Sequence, residues 1–345
     1  MRREQIENEL KKRREEEIRK QFNDYNARRI EIKNMYKTNN LNNENNFYDI
    51  IIKIKSLFEL ITNGWEIIYP SNNLNQQNIN IPIISVIGEK KKGKSFLLNK
   101  LFNADFPHGF NINNKGISFK YLNIDIINFN IIETGDIEHS VTKEFIKEFV
   151  LSKSNIIFIV VEQLTFSEQM LLEKFYGFDY HYDCEEIIVI HNLYNFVKIN
   201  QVQNYINNVL KKNKFLNLDE RKIKEINNND ENENENNCFF VSFNNYNISN
   251  KTLKIKHVIL ANDSIESEAG DYYNYSTIQF LRNILQFNSR CPLTNFDLIS
   301  ELRHFIYCKI NDYFENIVYP LNLNISENNN KKILKLENIT ELKFK

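Results

Sequence analysis

Apolar and polar residues alternate in two rhythms between residues 81 and 310, and together they predict an α/β fold. Short runs of branched apolar residues, typical of buried strands, occur at residues 81–87 and 155–161. Apolar residues at helical spacing follow such runs, most clearly at residues 141–150 and 202–210. Strands that alternate with helices predict a mostly parallel sheet with helices on both faces.

The residues before this alternation predict a helical extension. Residues 1–37 are charged, and their sparse apolar residues favour a solvated helix, with a coiled coil against a partner as the alternative. An asparagine-rich linker completes the segment 1–46. Residues 47–80 are expected to hold a second helix, at Ile50–Leu60, and a polar lead-in to the first core strand.

The predicted domain spans residues 81–292. Within it, Thr165 and Glu168 have the spacing of a capping box that begins a helix. Residues 226–237 are almost entirely asparagine and acidic residues, which predicts a disordered insertion. Residues 293–345 form a further segment, with a C-terminal helix and a tail of little periodicity.

The overall composition is that of an ordinary soluble globular protein. The chain has 345 residues, a formal net charge of −1, 42% hydrophobic residues and 26% charged residues. No global field favours nucleic acid, and basic residues with interleaved aromatics do not cluster into a nucleic-acid groove. Asparagine accounts for about one residue in six. Isoleucine, lysine, phenylalanine and tyrosine are also frequent. Because all of these residues, like asparagine, have A/T-rich codons, we attribute this bias to the base composition of the genome.

Cysteine usage and hydropathy predict a cytoplasmic protein without a transmembrane segment. The 4 cysteines are widely spaced and form no CxxC pair, which argues against zinc and against a disulfide framework. The N-terminal residues lack the apolar region of a secretory signal. No run approaches the ~18 apolar residues of a membrane span.

A glycine loop between a predicted strand and a predicted helix carries the chemistry. It has the GxxxxGK[ST] pattern of phosphate-binding loops. With the residue that follows, it comprises Gly88, Glu89, Lys90, Lys91, Lys92, Gly93, Lys94, Ser95 and Phe96. Backbone N–H groups of such a loop converge at the helix N-terminus. We expect Lys94 to reach the β- and γ-phosphates and the Ser95 hydroxyl to bind Mg²⁺.

The distribution of glycine points to the same region. The chain has only 8 glycines, and five of them lie between Gly88 and Gly135. Glycine is needed where φ is positive or where the backbone approaches a ligand closely. This stretch is therefore the one expected to surround a ligand.

The helix after the loop extends the match. Its residues from Ser95 to Leu101 read SFLLNKL. Loop and helix together resemble the guanylate-binding protein and atlastin branch of the dynamin-like GTPases. The resemblance covers about residues 80–310 and implies a P-loop GTPase-like domain that binds GTP or GDP with Mg²⁺.

Three further segments resemble motifs of that family. They are switch I (Asn114, Lys115, Gly116), switch II (Glu133, Gly135, Asp136) and the base-reading segment (His191, Asn192). The resemblance implies Asn114 as a second Mg²⁺ ligand beside Ser95. It also implies a homodimer across the nucleotide face.

Two departures from the family bear on catalysis. Lys91 stands where the family has an arginine finger, which is worth about 10³ to 10⁵ in rate. Lysine lacks the planar fork of arginine and does not fully replace it. We nevertheless expect Lys91 and Lys94 to act on the transition state. Asn114 replaces the switch I threonine, and an ordinary loop residue is the alternative interpretation.

Two more departures bear on the metal and the base. Ile132 aligns with the switch II aspartate; a one-residue slip would offer Glu133, and Asp136 lies just beyond, with helix capping as the alternative role. Asn192 replaces the aspartate that reads guanine, and an amide offers one acceptor and one donor where a carboxylate accepts twice. The alternatives are a turn residue for Asn192 and a packing role for His191.

Two functions follow from these observations. The first is a guanine-nucleotide-binding protein with weak, Mg²⁺-dependent GTP hydrolysis. The second is a hydrolysis-deficient nucleotide-binding scaffold, a pseudo-GTPase that acts as an interaction module.

Overall fold

The computed structural model describes residues 47–70, 81–89, 91–102, 106, 116–124, 127–135, 137–166, 168–170, 172, 184, 186–212, 246–248, 251–288, 296–315, 321–328, 331–337 and 343–344. All of them belong to the compact unit of residues 45–345. The predictions for residues 1–46, for the insertion at 226–237 and for Lys90, Asn114, Lys115 and Asp136 lie outside the described residues.

Helices and strands alternate through the middle of the described chain. In order, the elements are β1 (Ile50–Lys53), α1 (Glu59–Thr62), β2 (Trp65–Ile68), β3 (Ile83–Ile87), α2 (Lys94–Phe102), β4 (Gly116–Ile124), β5 (Ile127–Thr134), α3 (Ser140–Lys153), β6 (Ile156–Val161), β7 (Glu186–Leu193), α4 (Ile199–Tyr205) with a π-helical turn (Ile206–Leu210), β8 (Tyr246–Ile248), β9 (Lys251–Ala261), α5 (Glu268–Asn288), α6 (Leu298–Tyr313), β10 (Phe314–Glu315), β11 (Asn322–Asn328), β12 (Lys331–Glu337) and β13 (Lys343–Phe344).

Eleven strands form one mixed sheet in the order β11-β12-β2-β1-β4-β5-β3-β6-β7-β9-β8. The central five, from β5 to β9, pair in parallel. Every other described pair in this sheet is antiparallel, and β10 pairs separately with β13. The α/β prediction is therefore confirmed. The expectation of a mostly parallel sheet holds only for the centre, because antiparallel strands extend it on both sides.

Successive residues of the central strands face opposite layers of helices. Ile83 and Ile87 of β3 belong to one apolar cluster, which includes α3 and α6. Ile84 and Val86 belong to a second cluster, which includes α2 and α5. Every residue of β3, β6 and β7 is buried, as expected for strands covered on both faces. The prediction of helices on both faces is confirmed.

The helix predicted at Ile50–Leu60 is wrong. Residues 50–53 form β1, and only a four-residue helix, α1, follows at Glu59–Thr62. Three consecutive isoleucines, Ile50 to Ile52, favour a strand because β-branched side chains pack well on a pleated surface. Strand β1 also gains backbone partners on both sides, β2 and β4.

The tail contains a hairpin that the sequence analysis missed. Strands β11 and β12 pair with each other, and β12 adds to β2 with Leu334 opposite Trp65. A period-two signal was present, since Leu321, Leu323 and Ile325 occupy alternate positions. The predicted C-terminal helix is confirmed as α6. None of the described helices is both long enough and apolar enough to cross a bilayer.

The contact between hairpin and sheet yields a stability prediction. Leu334 is fully buried against β2, whereas Ile325 on β11 is 41% exposed. Leu334→Ala is expected to lower the free energy of unfolding by about 2–5 kcal/mol, because it removes buried methyl groups and leaves a cavity. Urea unfolding of the whole chain measures this change. Ile325→Ala is the matched control, expected within about 1 kcal/mol of the parent. Equal effects of the two substitutions would contradict the packing described.

Candidate functional site

The glycine loop joins β3 to α2 at the carboxyl ends of the central parallel strands. Lys91 has a φ of 64° and Gly93 a φ of 93°, so both residues adopt a left-handed backbone conformation that turns the chain. The first helical bond of α2 runs from the Leu97 N–H to the Gly93 carbonyl, 2.9 Å away. Left-handed residues before a helix N-terminus produce the concave set of N–H groups that binds anions.

Strand β7 holds this loop in place through Asn192. The Asn192 side-chain nitrogen donates to the Lys92 carbonyl at 2.8 Å. A Cβ at position 93 would lie 2.1 Å from that nitrogen, so glycine is required there by space as well as by φ. The sequence analysis assigned Asn192 to a base. In the structure its nitrogen is committed to the loop, while its buried oxygen has no hydrogen-bond partner among the described residues.

Lys94 lies inside the arch of the loop. Its ammonium donates to the carbonyls of Gly88 and Glu89, both at 3.0 Å, and the residue is only 9% exposed. A buried ammonium requires polar partners of this kind. The structure therefore places the Lys94 charge at the loop.

Ser95, on the first turn of α2, faces a buried carboxylate. Its hydroxyl donates to Oε1 of Glu133 at 2.9 Å, and the Tyr48 hydroxyl donates to Oε2 at 2.7 Å. Glu133 lies near the carboxyl end of β5 and is 3% exposed. Its neighbour Ile132 is buried in the apolar core, so the side chain that reaches the loop is Glu133.

Two opposing effects act on the pKa of the Glu133 carboxylate. Burial raises the pKa of Glu133 above its ordinary value, while the charge of Lys94 and the hydrogen bonds from Tyr48 and Ser95 act in the opposite direction.

The Ser95 hydroxyl and the Glu133 carboxylate are hard oxygen donors. Mg²⁺ takes one or two such protein ligands together with waters and phosphate oxygens, so the pair fits this ion.

Lys92 belongs to the loop, but its ammonium contacts acidic residues that follow β6. The Lys92 nitrogen lies 2.8 Å from Glu162 and 3.4 Å from Glu168. Partial burial disfavours the charged form, yet the hydrogen bond and charge of Glu162 and the charge of Glu168 raise the pKa of Lys92. The Lys92 side chain is thus engaged in an ion pair, while its predicted place in the phosphate-binding loop stays a prediction. Lys91, by contrast, has an exposed side chain.

Glu168 also completes the predicted capping box. Its carboxylate accepts from the Thr165 backbone at 3.0 Å, and the Thr165 hydroxyl accepts from the Glu168 N–H at 3.4 Å. The same carboxylate therefore caps a helix and neutralises a lysine of the loop. The sequence showed the cap but gave no signal for the lysine contact.

The two glycine segments assigned to switches meet at the start of β4. The Gly135 N–H donates to the Gly116 carbonyl at 2.8 Å. Gly116 has a φ of 112°, and a Cβ there would lie 2.1 Å from the Ile52 carbonyl of β1. Gly116 is therefore fixed within the sheet, and close packing of β1 against β4 accounts for this glycine.

His191 does not face the loop, which corrects its assignment to base binding. It points into the core, where Nδ1 lies 3.1 Å from the Tyr205 hydroxyl and Nε2 lies 3.0 Å from Nδ1 of His257. The Tyr205 hydroxyl also accepts from the Leu164 N–H at 3.0 Å. Neighbouring residues of a strand point to opposite faces, so His191 and Asn192 cannot share a site.

The loops after β7 and β9 are joined at the same edge of the sheet. The Asn262 side chain donates to the Tyr194 carbonyl at 2.5 Å, and the Ala269 N–H donates to the Val197 carbonyl at 2.9 Å. Ser267 caps α5 by accepting from the Gly270 N–H at 3.0 Å. Residues 266–270 thus contain the start of α5 and its cap.

Comparison with known proteins gives limited information. No protein-family model matches the chain. A heat shock protein of Dictyostelium discoideum is 28% identical over 340 residues, an alignment that covers 83% of this chain. The alignment spans 48% of that relative, about half of its length. The relative's name specifies neither a ligand nor a reaction.

The buried histidine pair predicts a loss of stability in mild acid. Burial lowers the pKa of His257 to about 3, and burial with the neighbouring His257 lowers the pKa of His191 well below its ordinary value. The unfolded chain takes up these protons near pH 6.5, so the unfolded state binds more protons than the native state below that pH. The free energy of unfolding is expected to fall by about 2–3 kcal/mol between pH 7 and pH 5.5.

Substitution of one histidine tests this account. In His257→Gln the decrease in unfolding free energy over the same pH interval is expected to be about half as large, measured by urea unfolding at each pH. His304 is exposed on α6, and His304→Gln should leave the pH dependence unchanged. An identical slope in all three proteins would rule out the buried pair as the cause.

Proposed function

We propose that the chain binds a purine nucleoside triphosphate together with Mg²⁺ and hydrolyses it slowly, with GTP as the first candidate. One observation carries this proposal. The loop between β3 and α2 brings together the Lys94 ammonium, the Ser95 hydroxyl and the Glu133 carboxylate. This combination offers a cation for phosphate and oxygen ligands for the metal that accompanies phosphate.

The position of the loop in the sheet supports the proposal. The chain leaves β3 towards β5 on one side, and from β5 it crosses to β6 on the other side of β3. Connections that run in opposite directions leave a crevice at the carboxyl ends of the strands, where α/β proteins bind ligands. The loop, Glu133 and Asn192 all lie at that edge.

Each residue then has a stated task. Lys94 exchanges its contacts with the Gly88 and Glu89 carbonyls for phosphate oxygens. Backbone N–H groups at the start of α2 bind the remaining phosphate charge. Ser95 and Glu133 hold Mg²⁺, which neutralises charge on the β- and γ-phosphates when bound.

Slow hydrolysis is expected from the lysines. Phosphoryl transfer depends mainly on positioning and on charge placed at the transition state. Lys92 is committed to Glu162 and Glu168, and Lys91 supplies a point charge in place of an arginine fork. The same contacts favour the second candidate function, a scaffold that binds nucleotide without hydrolysis.

The preference for one purine base over the other depends on a single side chain, that of Asn192. One amide N–H of Asn192 donates to the Lys92 carbonyl, which leaves its side-chain oxygen and its second N–H for a ligand. One acceptor suits an N–H of guanine or the amino group of adenine. GTP and ATP must therefore be compared directly.

Thermal unfolding with a nucleotide panel tests binding. Mg²⁺ with GTP, GDP or ATP is expected to stabilise the parent protein by about 2.7 kcal/mol at a ligand concentration 100 times Kd. Lys94→Ala should reduce the affinity at least about tenfold, since it removes a charged phosphate contact. Lys309→Ala is the control, because the Lys309 side chain on α6 is 43% exposed. The absence of any shift with all three nucleotides would refute the proposal.

Phosphate release separates the two candidate functions. The parent protein should release phosphate from GTP more slowly than an arginine-finger enzyme, and only with Mg²⁺. If it binds GTP but releases no more phosphate than Lys94→Ala, the scaffold function is the correct one.

A further inference from the structure

Tyr48 lies outside the phosphate-loop motif, yet its hydroxyl reaches the candidate metal site. It precedes β1, is 1% exposed, and donates to Oε2 of Glu133 at 2.7 Å. The other oxygen of the same carboxylate, Oε1, accepts from Ser95 at 2.9 Å. The two hydroxyl groups therefore hold the carboxylate from both sides.

The backbone around Tyr48 is fixed to strand β4. Asp49 donates its N–H to the Phe119 carbonyl at 2.9 Å, and its carboxylate accepts from the Tyr121 N–H at 2.7 Å. The Lys120 ammonium lies 3.0 Å from the same carboxylate. Because β4 pairs with β5, these contacts place Tyr48 against the strand that carries Glu133.

The ring of Tyr48 is fixed as well. Phe106 packs edge-on against it, with ring centroids 6.1 Å apart. The backbone of Phe106 is held on both sides by Asn99 of α2, through bonds of 2.5 and 3.0 Å. The tyrosine is therefore placed by α2, the helix that follows the loop, and by β4, the strand that pairs with β5.

We propose that Tyr48 is a positioning residue for metal binding: by holding Oε2 of Glu133, it aims Oε1 at the metal bound by Ser95. This inference rests on the proposed function, since it assigns the metal to the Ser95 and Glu133 pair. A carboxylate without the Tyr48 hydroxyl can rotate about its terminal bond, and a rotated carboxylate offers the metal a poorer ligand. Residues 47–53, which the sequence analysis placed outside the predicted nucleotide-binding domain of residues 81–292, then belong to the nucleotide-responsive part of the protein.

The test compares GTP affinity in excess Mg²⁺ with GTP affinity in EDTA. The ratio of the two affinities measures how strongly the metal assists binding. In Tyr48→Phe this ratio is expected to fall about tenfold, the usual scale for a lost hydrogen bond to a charged group, with affinity in EDTA nearly unchanged. A purely structural role would weaken both affinities equally, which would overturn the inference.

Tyr307→Phe is the matched control. Tyr307 lies on α6, and its hydroxyl accepts from the N–H of Leu323 on β11 at 3.2 Å, so it contacts neither the loop nor Glu133 through this bond. This variant should keep the parent ratio. If its ratio falls as far as that of Tyr48→Phe, loss of any tyrosine hydroxyl explains the effect and the inference is overturned.

A double-substitution cycle with Glu133→Gln shows whether Tyr48 acts through the carboxylate. Glu133→Gln should itself lose most of the metal effect, and adding Tyr48→Phe should change the ratio no further. If Tyr48→Phe alone does not fold, Glu133→Gln can still be compared with the double variant. Both lack the buried Glu133 carboxylate, so the loss of the Tyr48 hydroxyl leaves no buried charge without its donor. Additive effects would overturn the inference.

The remaining outcomes distinguish the two proposals. If the parent protein binds GTP with a metal effect that Tyr48→Phe retains, only the role of Tyr48 fails. GTP binding that is indifferent to Mg²⁺ refutes the metal assignment and the role of Tyr48, but leaves nucleotide binding. If the parent protein binds no GTP, ATP or GDP, both proposals fail.

Discussion

The need to compensate one buried carboxylate organises the candidate site. A charged group removed from water is costly unless it is paired and hydrogen-bonded. Glu133 meets that requirement through Ser95 of α2, Tyr48 before β1 and the nearby charge of Lys94. These partners come from parts of the chain that are distant in sequence. The carboxylate therefore ties the loop, helix α2 and the segment before β1 into one unit.

The lysines of the loop show how position divides residues of identical chemistry. Lys92 is neutralised by acidic residues after β6, while Lys94 turns inward to the loop carbonyls. The backbone conformation directs Lys92 and Lys94 to different partners, because Lys91 and Gly93, on either side of Lys92, adopt positive φ. A run of lysines in sequence is thus not a run of equal charges in space.

Local patterns predicted the strand, the loop and the helix, because each is set by neighbouring residues. The sequence also predicted the capping box of Thr165 and Glu168. It could not predict Tyr48, which lies 85 residues from Glu133 and is brought there by the pairing of β1, β4 and β5. His191 was assigned to the base-reading segment together with Asn192, but strand parity sends His191 into the core, which is the packing role named as its alternative, and Asn192 to the loop. The hairpin of β11 and β12 was missed because its partner, β2, lies far away in the chain.

The sheet order has a practical consequence for any shortened version of the protein. Strands β1 and β2 come from before residue 81, and β11 and β12 from after residue 292, yet all four extend the sheet beyond β4. A fragment limited to residues 81–292 would leave the outer edge of β4 without its neighbour. An uncovered strand edge is a template for pairing with other chains, so such a fragment is a candidate for aggregation rather than a minimal domain. A piece that keeps β4, β1 and β2 paired on both sides begins before Tyr48 and includes β12.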